Sequence, residues 1–278
     1  MAVTKYFEAY NARNTLIIDD TFSNFYLEQK VTGLIPSHAN PDVVILYHGI
    51  PTNTTGAALY YYALGEFLVY AIDTHQNKRF MAVSAPDTCV MTFRQSAGKQ
   101  AVVIYPKAGA ATGFSASSFT NNAARVSFWN NVCRNLKIYI FTTEPPTDVS
   151  NDGLVIYKDN GDVLFDANRK YMRVLGCINV TGTDVENNQN INQSGYYQGN
   201  SGPQSFKNIA IMGFETPWVV TFSPQIISDY AHGINVSNGV MWRMHNQLQY
   251  INPTPQGGGV TTGVFSTYHF LVIDVTNY

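Results

Sequence analysis

Charge is what this chain has least of. Of its 278 residues only 13% are Asp, Glu, Lys or Arg, about half the ~25% usual for a folded domain, and 17 basic against 19 acidic residues leave a formal net charge of −2. Without a basic cluster the electrostatic footprint of nucleic-acid binding is missing. Cysteine is scarce too. Cys89, Cys133 and Cys177 lie far apart with no C-x-x-C pairing, so neither a disulfide framework nor a zinc site is expected. Their apolar or small neighbours predict three buried free thiols. No run approaches the roughly 18 apolar residues of a membrane helix. The first residues, MAVTKYFEAYNARN, lack the apolar core of a secretory signal, so the Asn-x-Ser/Thr matches at Asn53, Asn179, Asn192 and Asn235 are read as chance.

Catalytic signatures are also wanting. None of the six histidines sits in H-E-x-x-H or in H-x-E ahead of P-C-x-x-C. Asp73 with His75, and Asp229 with His232, supply two metal-ligating types each, short of the three or four convergent ligands a site needs. There is no G-x-S-x-G elbow, Walker loop or dinucleotide fingerprint. Gln256–Gly259 is glycine-rich but follows Pro253 and Pro255 and precedes a strand pattern, whereas a phosphate cradle needs a following helix. The expectation is a protein without enzymatic activity and without a cofactor.

What is present is tyrosine (18), phenylalanine (16) and a polar remainder dominated by Asn, Thr, Ser, Gln and Gly. Aromatic and β-branched side chains suit pleated, half-buried surfaces. Apolar runs such as ALYYYALGEFLVYAID, RFMAVSA, VMTFR, AVVIY, LKIYIFTT, KNIAIMGF, WVVTFSP, GVMWRM, QLQYI and HFLVIDVT alternate with Gly, Pro, Asn and Asp. That spacing predicts an all-β chain of sandwich or partly open barrel type. The run Leu59–Tyr70 also admits one short helix.

The chain repeats itself. FEAYNARNTLIIDDTFSNFYL (Phe7–Leu27) aligns without a gap on LVIYKDNGDVLFDANRKYMRV (Leu154–Val174), 147 positions later, bringing Tyr10 onto Tyr157, Asp19 onto Asp166 and Leu27 onto Val174. Asn14 falls on Gly161, and both residue types tolerate the positive φ of a tight hairpin turn. Weaker echoes match Ala63–Gly65 to Ile211–Gly213 and Val103–Pro106 to Tyr250–Pro253. The expected organisation is two tandem β-sandwich-like domains related by internal duplication, 1–147 and 148–278, parted at the Pro145-Pro146 linker. Asp19 and Asp166 end equivalent strands, where a carboxylate is expected to accept backbone N–H groups in an Asx turn. Arg169, Lys170 and Arg173, the densest basic group, are expected on a solvated face or at an inter-subunit contact. Lys107–Asn122 and Glu186–Gln204 read as long surface loops, the second carrying Tyr196 and Tyr197 as candidate binding residues.

The segment GLVIYKDNGDVLFDANRKYMRVLG (Gly153–Gly176) resembles the opening hairpin of small virion proteins of tailed bacteriophages. YFEAYNARNTLIIDD (Tyr6–Asp20) looks like a variant of it, and FLVIDVTNY (Phe270–Tyr278) is similar to their C-termini. The resemblance covers about a fifth of the chain and carries no catalytic residue. It implies a structural component of the virion, in the tail, tail tip or baseplate, whose partners are copies of itself and neighbouring virion proteins. An alternative implied function is a receptor- or glycan-binding module of a fibre or tip, meeting a host surface glycan through Tyr196 and Tyr197. A polysaccharide-cleaving enzyme is a third reading that no motif supports.

Overall fold

The computed structural model describes residues 8–10, 16–19, 24–34, 43–47, 66–86, 88–106, 122–148, 153–158, 160–180, 208–213, 218–222, 226–237, 240–251 and 268–278. The chain is mostly β, as the alternating pattern predicts. In order come β1 (Glu8–Tyr10), β2 (Leu16–Asp19), β3 (Tyr26–Val31), β4 (Val43–Tyr47), β5 (Glu66–Asp73), β6 (Arg79–Ser84), β7 (Cys89–Ser96), β8 (Lys99–Pro106), α1 (Asn122–Asn135) and β9 (Lys137–Thr142). There follow β10 (Val155–Tyr157), β11 (Val163–Asp166), β12 (Val174–Val180), β13 (Ile209–Gly213), β14 (Trp218–Phe222), β15 (Ile226–Ser237), β16 (Val240–Ile251) and β17 (Tyr268–Asp274). GVMWRM and QLQYI, two runs in the sequence, are one strand, β16.

The described strands form two large antiparallel sheets and two separate hairpins. One sheet has the order β12-β17-β13-β6-β9-β3; the other runs β14-β15-β7-β8-β5-β4, with β16 also on β15. Each sheet takes strands from both sides of residue 147, joined by Ile211 opposite Val83 and by Ile234 opposite Met91. The halves therefore meet strand to strand.

The six-stranded sheet buries both faces. Alternation along its strands sends Met81, Val83, Ile138, Ile140, Ile211, Phe270 and Val272 one way, against Leu68, Phe93, Val102 and Ile104 of the other sheet. The intervening Ala82, Tyr139, Phe141, Ala210, Met212 and Ile273 point the other way, into a second core that Phe25, Leu27, Met172 and Tyr278 cover. Each large side chain taken fully out of water here contributes about 1.5–3 kcal/mol.

The repeat is visible in the registers. In the first hairpin Glu8 faces Asp19 and Tyr10 faces Leu16; in the second Val155 faces Asp166 and Tyr157 faces Val163, with the irregularity at the same step. Each hairpin leads to an edge strand of the six-stranded sheet. β3 skips Glu28 against β9, and β12 skips Leu175 against β17, again 147 positions apart. Thr143 donates its backbone N–H to Lys78 and Val275 donates to Asn208, 2.9 and 3.0 Å, the same bond at the ends of β9 and β17. One echo needs correcting. The β7–β8 turn closes at Ser96 and Lys99 and the β15–β16 turn at Ser237 and Val240, so Val103–Pro106 corresponds to residues 244–247, not to Tyr250–Pro253. Ala63–Gly65 lies outside the described residues.

Helix α1 is an addition the strand pattern concealed. It lies at Asn122–Asn135, not within Leu59–Tyr70, whose described part belongs to β5. Trp129, Val132, Cys133 and Leu136, spaced for one helical face, enter the main core, and Arg134 in the last turn complements the helix dipole. Burial pushes the Cys133 thiol up to about 11, and Cys89 is buried as well. Cys177 is exposed, against expectation; among the described residues β12 is an edge strand with no neighbouring strand on its outer flank. Gly161 has φ 87°, as its turn demands.

Candidate functional site at the outer join

The two edge strands of the six-stranded sheet come together through the segments that precede them. Met172 donates its backbone N–H to Phe25 (2.8 Å), Leu27 donates to Lys170 (2.7 Å), and Tyr26 bridges Tyr171. This brings four parts of the chain to one place: the start of β3, the Thr143–Asp148 linker, the β10–β11 hairpin and the return segment 167–173.

Arg169 holds that junction. Its guanidinium pairs with Asp148 of the linker at 2.9 Å and lies 3.7 Å from the buried Asp166 carboxylate, with its Cζ 5.2 Å from the centre of the Tyr26 ring. The hydrogen bond from Arg169 holds the Asp148 carboxyl below the usual range. Burial alone would lower Arg169, but the hydrogen bond and charge of Asp148 raise it overall. The other basic residues of the group behave alike. Arg173 pairs with Asp274 at 3.3 Å and sits 5.4 Å from the centre of the Tyr278 ring, and Lys170 lies 6.0 Å from the same centre. Arg169 is partly buried and ties segments of one chain together, whereas Lys170 and Arg173 are exposed, on the solvated face expected of the group, while also meeting the Tyr278 ring.

Asp166 accepts the backbone N–H of Asn168 at 2.9 Å, the expected Asx turn. The side chain of Asp19 lies outside the described residues. The same turn recurs at Asp274, which accepts both the backbone N–H and the hydroxyl of Thr276 at 3.0 and 2.6 Å.

Beside the junction lies a small cleft of about 20 Å³, room for about one water molecule. Its walls include Tyr26, Tyr171, Pro145, Pro146 and Val163, with Glu144 and Lys158 among its polar lining. The Tyr26 hydroxyl donates to the Glu144 carbonyl at 2.9 Å, and the Tyr171 hydroxyl accepts the Asp166 backbone N–H at 2.6 Å. Burial raises both phenols; Arg169 partly opposes it. Asn24 also lines the cleft, and its Nδ2 is buried without any hydrogen-bond partner. Nothing in the sequence around Asn24 distinguished it from other loop asparagines.

A polar network flanks this region. Arg79 grips both carboxylate oxygens of Glu28, the residue bulged from β3, and approaches His75 Nε2 at 2.9 Å, while His75 Nδ1 lies 3.5 Å from Glu144. His75, Gln76 and Asn77 run in left-handed conformation, φ 44°, 60° and 66°, strain sustained because Thr74 is anchored twice on the Gly98 carbonyl at 2.8 Å. Asp73 does not join His75 as a second ligand. Its Oδ1 accepts the His75 backbone N–H at 2.7 Å. Among the described residues no group of three His, Cys, Asp or Glu is placed to hold a metal ion, and no helix is long and apolar enough to cross a membrane. The side chains of Asp229 and His232, and Tyr196 and Tyr197 altogether, lie outside the described residues.

Compared with known protein families, with curated proteins and with solved structures, the chain matches none.

Proposed function

We propose that the chain is a structural subunit of a tailed-bacteriophage particle, residing in the virion and acting through contacts with copies of itself and with neighbouring tail, tail-tip or baseplate proteins. The hairpin resemblance motivates this reading. The observation that carries it is the exposure of apolar side chains around the second repeated hairpin: Leu154 and Tyr157 are 57% and 55% exposed, and Val174 at the start of the β12 edge is 48% exposed. Sheet edges left in this state favour pairing with another chain, since free-standing proteins blunt their edges with charge or cover them. A surface poor in Lys and Glu agrees, because the cores of protein interfaces are depleted in both.

The test has two parts. The mass of the purified chain in solution is expected to exceed that of one copy, and imaging of the intact particle is expected to show it at repeated positions. A monodisperse monomer found at a single, unrepeated place overturns the proposal. Capture on a glycan array, lost on replacing Tyr196 and Tyr197, would instead support the receptor-binding alternative.

A further inference from the structure

The fold gathers three cations around a pair of tyrosine rings, one of them far from the other two in sequence. Tyr278, beyond the end of β17, sets its ring beside those of Tyr139 and Phe141, with centres 6.2 and 5.9 Å apart. Arg173 and Lys170 lie 5.4 and 6.0 Å from the centre of the Tyr278 ring. Lys30 of β3 donates to the Tyr278 carbonyl at 2.7 Å and lies 5.8 Å from the centre of the Tyr139 ring. All three cations are exposed. An aromatic face attracts a cation through its quadrupole, which helps fix where the charge sits but does not neutralise it.

The charge left over sets this group apart. Elsewhere Arg79 is matched by Glu28, and Arg169 by Asp148 and Asp166. Here, among the described residues, three cations share one carboxylate, that of Asp274, 3.3 Å from Arg173. Counting a carboxylate at Tyr278 beside Lys30 would still leave the charge of Lys170 unmatched. We propose that this group is a docking point for an acidic segment of a neighbouring polypeptide, whose carboxylates meet Lys30, Lys170 and Arg173. Three cations are too few to follow a nucleic-acid backbone, against which the net charge of −2 also counts. Spread over the two rings of Tyr139 and Tyr278, they suit carboxylates spaced along a chain better than one compact oxyanion. For the source of the segment this rests on the subunit reading above; the charge of the group does not.

The probe is a capped hexaglutamate peptide, titrated at low salt into the full chain. The side-chain methylene resonances of Lys30 and Lys170 and the Tyr278 ring are followed by NMR. A saturable shift of all three is expected, and none with capped hexaglutamine. Sodium chloride at about 1 M, where the screening length falls to about 3 Å, should abolish it. Lys170→Glu sets like charges opposite one another and should weaken binding more than about tenfold. Lys170→Gln, which only removes the charge, should weaken it about threefold. Lys99→Glu makes the same charge change at an exposed lysine at the start of β8, in the other sheet, and should leave binding within about twofold. The proposal is overturned by the absence of a saturable shift, by hexaglutamine binding equally well, or by Lys99→Glu weakening binding as much as Lys170→Glu. Inorganic phosphate shifting the same resonances at equal concentration would also overturn it, by assigning a site for a compact anion. Failure here leaves the solution mass and particle imaging unaffected, so the two readings fail separately.

Discussion

The two halves of the chain meet twice within the six-stranded sheet, and the two joins are built from opposite materials. At the inner join β6 and β13 share the pair Val83 and Ile211, and continuing that register would set Met81 opposite Gly213. There the completely buried Gln100 reaches over from β8. Its Oε1 accepts the Met81 N–H at 2.7 Å and its Nε2 donates to the Gly213 carbonyl at 2.8 Å. A side-chain amide thus stands in for the backbone bonds between the two strands. Gly213 must remain glycine, since a Cβ there would come within 2.6 Å of Phe270 and 2.8 Å of Phe93. At the outer join the same halves are held by backbone bonds, ion pairs and cation–ring contacts that water can reach. A dry join has to satisfy every polar atom from within, whereas a wet one can leave part of that to solvent.

The sharpest way to break this contrast is Gln100→Leu. It strands a buried N–H and a buried carbonyl, each worth about 1–3 kcal/mol, so a loss of about 2–5 kcal/mol is expected in urea unfolding. Arg169→Met at the outer join should cost less, about 1–2 kcal/mol, because its pair with the exposed Asp148 contributes little and the buried Asp166 keeps the Asn168 N–H. Equal losses from the two variants would erase the distinction.

A smaller effect is expected in the second hairpin. Nothing lies within 4 Å of a Cβ placed on Gly161, so Gly161→Val meets only the strain of φ 87°. About 1–2 kcal/mol should be lost, with the two joins untouched. Unchanged thermal unfolding would remove the turn from the account.

The smallest effect concerns acid. Because Arg169 holds the Asp148 carboxyl below its ordinary value of 3.8, the contribution of this pair is complete above that value and disappears as the pH falls through the lowered one. Asp148→Asn should therefore flatten the decline of stability below about pH 4. An identical acid profile in the variant would show that the outer join does not depend on this pair.

Legibility in the sequence followed how local the cause was. The Asn160–Gly161 turn could be read directly, since the φ requirement is intrinsic to the residue and Asn160 fixes the turn by accepting the Asp162 N–H at 3.0 Å. The Asx role of Asp166 was legible for the same reason. Helix α1 left a signal, the spacing of Trp129, Val132, Cys133 and Leu136, but its surroundings of small polar residues masked the period. Exposure of Cys177 could not be anticipated from its apolar neighbours, because edge position belongs to strand order and not to composition.

The sequence by itself determined that the chain is β-rich, where most of its strands fall, and that its hairpins recur 147 residues apart, because side-chain alternation and turn chemistry act over a few residues. Only the tertiary structure decided that strands from the two halves share each sheet, that Gln100 completes a backbone ladder, and that Arg169 bridges linker and return segment. Each of these depends on which distant segments become neighbours, and that is set by burying both faces of one sheet at once, a condition no local pattern encodes.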